Sequence, residues 1–68
     1  MSERIKLIFR DVFNFRARHE WKGGDRDSFF EVVANDALKV CESHDQDPLC
    51  VAMLVACHED IEREVMRE

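Results

Sequence analysis

The amino-acid sequence predicts an all-α fold, a three-helix bundle in which residues 1–68 form one domain. Its composition, 46% hydrophobic and 37% charged with two glycines and one proline, is typical of a helical domain. Apolar residues recur at helical spacing in three segments, which are separated by Gly23-Gly24 and by Asp47-Pro48. We expect helices at about residues 2–19, 28–42 and 48–67.

The first predicted helix begins at Ser2, whose hydroxyl can accept a hydrogen bond from an amide of the first turn. It ends before Gly23-Gly24, because glycine supplies the backbone freedom that a helix end requires. One apolar stripe is predicted to face the core, with Phe15 at its edge. The stripe consists of Ile5, Ile8, Phe9, Val12 and Phe13.

The second predicted helix begins at Ser28, because Ser28 and Glu31 have the spacing of a capping box. In that motif the serine and glutamate side chains each bond a free backbone amide. The apolar arc covers about half of the helix and is wider than the roughly 100° that packing on one side uses. The residues predicted to face the core are Phe30, Val33, Ala34, Ala37, Leu38 and Cys41.

The third predicted helix begins after Asp47, a capping residue, with Pro48 at the first helical position. Residues 49–57 are apolar on every side, which is unusual for a helix at a protein surface. The second half carries charge around a narrow apolar seam, in which cysteine acts as a small hydrophobic residue. The predicted seam is Cys50, Leu54, Cys57, Ile61 and Val65.

The size of the chain favours self-association. A domain of this length buries only about 60% of the surface of its unfolded chain, so its core is marginal. The second and third helices carry more apolar side chains than one buried stripe uses, and a homodimer packed through these two helices would cover them. A monomer with helices irregular enough to bury them is the alternative. The residues assigned to the dimer interface are Phe29, Val32, Val40, Val51, Met53 and Val55.

The net charge of −5 is unevenly distributed. Residues 1–26 carry seven basic and four acidic side chains, whereas residues 27–68 carry three basic and eleven acidic ones. These charges either attract one another across the bundle or serve an outside partner. Trp21 is either a cap on the core or a binding anchor. The predicted partner-binding residues are Arg10, Arg16, Arg18, Trp21, Lys22 and Arg26.

These features predict a small, non-enzymatic regulatory or adaptor protein that acts by protein–protein interaction, of a kind common in phages and mobile genetic elements. The alternative is a nucleic-acid-binding protein that uses the basic N-terminal region, where aromatic side chains are interleaved with cations. The second helix weakens this alternative, because it carries one basic residue, Lys39, against three acids.

A further alternative is a zinc-stabilised structural module with Cys41, His44 and Cys50 as ligands. The spacing of these residues matches no zinc signature, and the sequence predicts no cofactor and no catalytic residue. His19, His44 and His58 fall within or beside the apolar arcs of their helices. We expect them to lie apart at the core edge and to donate to backbone carbonyls.

The three cysteines are an odd number and the N-terminus lacks a signal-peptide pattern, so the sequence predicts a reducing compartment, the cytoplasm. No stretch contains the ~18 uncharged apolar residues that a membrane span requires. We therefore expect no membrane association.

Overall fold

The computed structural model describes residues 2–67 and, within them, contains three α-helices and no β-strand. The helices are α1 (Glu3–Arg18), α2 (Arg26–Ser43) and α3 (Pro48–Met66). Each helix packs against the other two, so the predicted all-α three-helix bundle is confirmed. None of these helices is both long enough and apolar enough to cross a bilayer.

The helices run up, down and up. Arg4 at the start of α1 bonds Asp47 at the start of α3, and Arg16 near the end of α1 bonds Asp60 further along α3. Helices α1 and α3 are therefore parallel. The intervening α2 runs antiparallel to both, because its short connections return the chain along the same bundle.

Two helix starts agree with the sequence. The Ser2 hydroxyl accepts a hydrogen bond from the Ile5 amide at 3.3 Å. The Asp47 carboxylate accepts one from the Leu49 amide at 2.9 Å, and Pro48 occupies the first position of α3. Each side chain satisfies an amide that has no partner within its helix.

The predicted start of the second helix at Ser28 is wrong, because α2 begins at Arg26 with Asp25 as its cap. The Asp25 carboxylate accepts hydrogen bonds from the Ser28 amide at 3.3 Å and from the Ser28 hydroxyl at 2.5 Å. A carboxylate suits this position because it accepts amide bonds and faces the positive end of the helix dipole. Ser28 and Glu31 therefore lie inside the helix and do not cap it.

Both connections use left-handed backbone. Gly23 and Gly24 have φ of +89° and +102°, which only glycine adopts without strain, so the predicted break is confirmed. Asp45 and Gln46 have φ of +53° and +56° in the second connection. There the Gln46 amide bonds the Cys41 carbonyl at 2.9 Å and closes the end of α2.

The core lies along the axis between the helices and draws on all three. On α3 the predicted seam is confirmed at four positions, and Cys57 is half-buried beside them. The buried apolar residues are Ile8, Val12, Phe15, Val33, Val40, Cys50, Leu54, Ile61 and Val65.

The predicted core stripe of the first helix is partly wrong. Phe15, placed at the edge of the stripe, is fully buried, whereas Phe9 and Phe13 are 45% and 72% exposed. The buried side chains Ile8, Val12 and Phe15 follow spacings of four and three residues, which define one arc of the helix. Both neighbouring helices lie against this arc, so Phe9 and Phe13 remain outside.

Helix α2 shows a similar rotation. Leu38 and Ala34, predicted to face the core, are exposed, and Leu38 shows 55% of its surface. Val40, which the sequence assigned to the outside, is buried together with Val33. The apolar arc of α2 is wider than the contact surface, so the pattern alone does not select the buried part.

Candidate protein-interaction surfaces

Three of the six residues assigned to a dimer interface help to form the core of the single chain. Val40 is 8% exposed, and Phe29 and Met53 pack partly buried against the core. The assignment of Val40 as surplus surface is wrong, because each helix of the bundle contacts two neighbours and so buries a wider arc than one contact would. Phe29 and Met53 keep part of their surface exposed, so their place in a dimer interface stays a prediction.

The other three assigned residues are exposed but do not share one surface. Val51 and Val55, 37% and 52% exposed, line a depression between α2 and α3. Val32, 58% exposed, lies in a separate depression beside Phe29 and Asp36. The predicted interface is therefore divided between two depressions, with Val51 and Val55 in one and Phe29 and Val32 in the other.

The depression between α2 and α3, called here the α2–α3 groove, has a volume of about 310 Å³. His58 is the only lining residue with a nitrogen or oxygen in its side chain, and its Nδ1 is 2.9 Å from a Glu62 carboxylate oxygen. The groove is therefore an apolar surface open to solvent. Its lining residues are Ala34, Ala37, Leu38, Cys41, Val51, Leu54, Val55 and His58.

Acidic side chains border the α2–α3 groove. Glu31 and Glu42 lie seven residues before and four residues after Leu38, which places them on its side of α2. Glu59 lies four residues after Val55 on α3. All are exposed. We call this border the acidic rim, and it consists of Glu31, Glu42, Glu59 and Glu62.

Two cations predicted to contact an outside partner are already engaged within the molecule. Arg16 donates to Asp60 at 2.9 Å and also to Glu64, both on α3. Arg18 donates to Asp36 on α2 at 2.8 Å. These ion pairs hold α1 against the two acidic helices, so Arg16 and Arg18 are less available to a partner than the sequence suggested.

The remaining predicted contacts differ among themselves. Arg10 donates to Asp11 at 2.9 Å but keeps 63% of its side chain exposed. Lys22 and Arg26 are exposed and make no ion pair within residues 2–67. Trp21 is half-buried and packs on the core as a cap.

Each histidine pairs with a carboxylate, so the expected backbone-carbonyl partners are wrong. His19, 8% exposed, places Nε2 2.6 Å from Asp36. The Nε2 atom of His44 is 2.7 Å from Asp11, on the opposite part of α1. As expected, the histidines lie apart and form no common site.

The first histidine pair lies beside the core. The Phe15 and His19 rings are 5.0 Å apart between centroids. Burial raises the pKa of Asp36, but hydrogen bonds from His19 and Arg18 outweigh it and hold the pKa below its ordinary value. Asp36 therefore acts as an anionic link between α1 and α2.

The structure does not bring Cys41, His44 and Cys50 into a metal-binding group. No three histidine, cysteine or acidic side chains in residues 2–67 lie where they could hold a metal ion. His44 is directed at Asp11, and Cys50 is fully buried in the core. Burial raises the pKa of the Cys50 and Cys57 thiols, which keeps them protonated and weakly reactive.

Sequence reasoning missed a second exposed apolar surface, on the outer side of α1. This surface, called here the α1 ridge, consists of the exposed side chains Lys6, Phe9, Arg10 and Phe13. Each of them lies three or four residues from two of the others. On a helix this spacing joins them into one patch. The cations beside both rings were the available signal, because a face that carries charge is rarely buried.

The α2–α3 groove and the α1 ridge are thus two exposed apolar surfaces within residues 2–67. Both have the chemistry of protein recognition, an apolar centre with charged residues at its border. No protein-family model, curated protein or solved structure matches this chain.

Proposed function

We propose that the protein is a small, non-enzymatic regulatory or adaptor protein of the cytoplasm, which self-associates and acts by binding another protein. The observation that carries this proposal is the α2–α3 groove, an apolar surface that the bundle leaves uncovered. Contiguous apolar surface bordered by polar residues is typical of an interaction site.

Energetics support a role for the groove in association. Leu38, Val51 and Val55 are each exposed by more than a third. Complete burial of a fully exposed side chain of this kind contributes about 1.5–3 kcal/mol, so burying the part still exposed contributes about 0.5–1.5 kcal/mol for each. The core of a domain this small supplies about 3–5 kcal/mol in total. Covering the groove would therefore be a large addition to stability. The simplest assembly that covers the groove is a homodimer packed through α2 and α3.

Light scattering over a concentration series tests the self-association. We expect the wild-type mass to rise above 8.0 kDa as concentration increases, and Val55→Glu to remain at 8.0 kDa. Val32→Glu is the matched control, because Val32 is an equally exposed valine outside the groove. A wild-type mass of 8.0 kDa at every concentration would exclude self-association. Equal disruption by both substitutions would exclude the groove.

The outside partner is proposed to contact the exposed cations Lys22 and Arg26. A Lys22→Glu, Arg26→Glu double variant should lose a protein captured from host lysate that the wild type and Val32→Glu retain. Nucleic acid is the competing partner, and a gel shift separates the two. Salt-sensitive binding to DNA or RNA that is lost in the double variant would identify nucleic acid, and not a protein, as the partner of these cations.

A further inference from the structure

The α1 ridge exposes two large aromatic side chains that the fold leaves without neighbours in the core. Phe13 is 72% exposed and Phe9, one helical turn before it, is 45% exposed. Aromatic rings at positions i and i+4 project together from a helix and form a compact apolar knob. Such pairs are typical anchors of a helix that binds an apolar groove.

The ridge is also cationic at its edges. Lys6 is exposed and forms no ion pair within the part of the chain that the structure describes. Arg10 pairs with Asp11 and is also attracted by Glu3, so its charge is largely balanced within the chain. The ridge therefore combines two exposed rings with one cation, Lys6, that no carboxylate of residues 2–67 pairs with.

The α2–α3 groove has the complementary properties. Its lining is apolar, and none of its lining residues is a lysine or arginine. In the acidic rim, Glu31, Glu42 and Glu59 make no ion pair with any of residues 2–67, and Glu62 pairs only with His58. A fitting occupant is an apolar knob flanked by cations.

We propose that the α1 ridge of one copy of the chain occupies the α2–α3 groove of a second copy. This inference rests on the proposed self-association, but in place of a homodimer packed through α2 and α3 it pairs α1 of one copy with the α2–α3 groove of the other. Phe9 and Phe13 enter the groove beside Leu38 and Val55, while the ridge cations meet the acidic rim. A groove-to-groove dimer would instead bring together two rims of four glutamates each, with Arg63 beside Glu59 and Glu62 as the neighbouring cation. An excess of like charge at an interface opposes association.

The two surfaces lie on different sides of the bundle, one on α1 and the other between α2 and α3. After the first contact, the copy that contributed its ridge still has a free groove, and the copy that contributed its groove still has a free ridge. Such a head-to-tail contact closes into a ring or continues along a chain of copies. Because the contact is small, we expect a Kd on the order of micromolar or weaker.

Mixing two variants tests this arrangement. Phe13→Glu removes the ridge, Val55→Glu removes the groove, and both positions are exposed enough for the bundle to fold. We expect each variant alone to have a Kd raised more than about tenfold and to run as an 8.0 kDa monomer. An equimolar mixture should form a 1:1 complex and stop there, because one variant supplies the groove and the other the ridge.

Circular dichroism of each variant checks that it is folded, and Val32→Glu again serves as the exposed-valine control. If Phe13→Glu self-associates like the wild type, or if the mixture stays monomeric, the ridge-in-groove contact is refuted. A groove-to-groove homodimer gives the first of these results and leaves the proposed function intact. A wild-type chain that is monomeric at all concentrations refutes both proposals.

Discussion

At the scale of single residues, Asp36 shows how a carboxylate links two helices. It accepts hydrogen bonds from His19 at 2.6 Å and Arg18 at 2.8 Å, with 23% of its side chain exposed. Its pKa in the folded chain is held below the ordinary value of 3.8. The unfolded chain therefore binds protons at a higher pH than the folded chain does. Stability from this group is present above pH ~4 and is lost as pH falls below it.

Replacing Asp36→Asn should remove part of this pH dependence. At pH 7 we expect the free energy of unfolding to fall by about 1–2 kcal/mol, because two charge-assisted hydrogen bonds are weakened. Between pH 5 and 3 the variant should lose less stability than the wild type. Urea unfolding across this range gives both quantities. Glu20→Gln, which changes an exposed carboxylate outside both proposed contact surfaces, is the control. An unchanged pH dependence in Asp36→Asn would contradict the assignment.

Asp25 is the second residue whose role can be isolated. Because its carboxylate caps α2, Asp25→Ala should lower the Tm by about 4–8 °C, the expected effect of losing one cap in a domain of this size. Ser28→Ala should lower it less, since the Ser28 hydroxyl only donates to Asp25. Thermal unfolding followed by circular dichroism compares them. A larger fall in Tm for Ser28→Ala than for Asp25→Ala would indicate that Ser28 is the cap.

At the scale of the helices, α1 is the element whose buried face the structure reassigns. A matched pair of substitutions tests this. Phe15→Leu should lower the free energy of unfolding by about 1–2 kcal/mol, since the ring is fully buried and leucine fills less of its space. Phe13→Leu should change it by less than about 0.5 kcal/mol. Denaturant unfolding at low protein concentration measures both changes. A larger loss of stability in Phe13→Leu than in Phe15→Leu would indicate that Phe13 is the buried residue.

The helices differ in how much of them the sequence could predict. In α3 the cap Asp47 and the seam through Cys50, Leu54 and Ile61 were predictable, because cap and seam are local patterns. In α1 the apolar residues fill an arc wider than the core covers. Which part is buried depends on where the neighbouring helices lie, and the spacing of Phe13 and Phe15 does not contain that information.

The candidate surfaces were less predictable than the helices. The exposure of Val51 and Val55 followed from a helix that is apolar all round. The groove itself depends on Leu38 being turned toward α3, which requires the relative rotation of two helices. Likewise, Arg16 could be recognised as cationic from the sequence, but its partner Asp60 lies forty-four residues away.

At the scale of the whole molecule, many of the basic side chains of α1 form ion pairs with the acidic side chains of the other helices. Arg4, Arg16 and Arg18 on α1 each bond an acid on α2 or α3 or at the start of α3. Of the other exposed cations, Lys6 and Arg10 lie on the outer side of α1 and Lys22 and Arg26 near the first connection, whereas Lys39 lies on α2 and Arg63 and Arg67 lie at the end of α3. The unpaired acids of the groove lie on the other helices, so separate copies present opposite charges to one another.

This distribution predicts how salt acts on self-association. Each copy carries a net charge of −5, so at low salt the copies also repel as whole molecules. The screening length is about 10 Å at 0.1 M salt and about 3 Å at 1 M, so in this range only charges at the contact matter. A contact between ridge cations and the acidic rim should weaken as NaCl rises from ~0.1 to ~1 M.

Sedimentation at several NaCl concentrations measures this dependence. Lys6→Gln should flatten it, because the substitution removes one ridge cation without breaking an ion pair within residues 2–67. A groove-to-groove dimer predicts the opposite slope, since salt would screen repulsion between two acidic rims and tighten the association. The sign of the salt dependence therefore distinguishes the two arrangements even where their masses are the same.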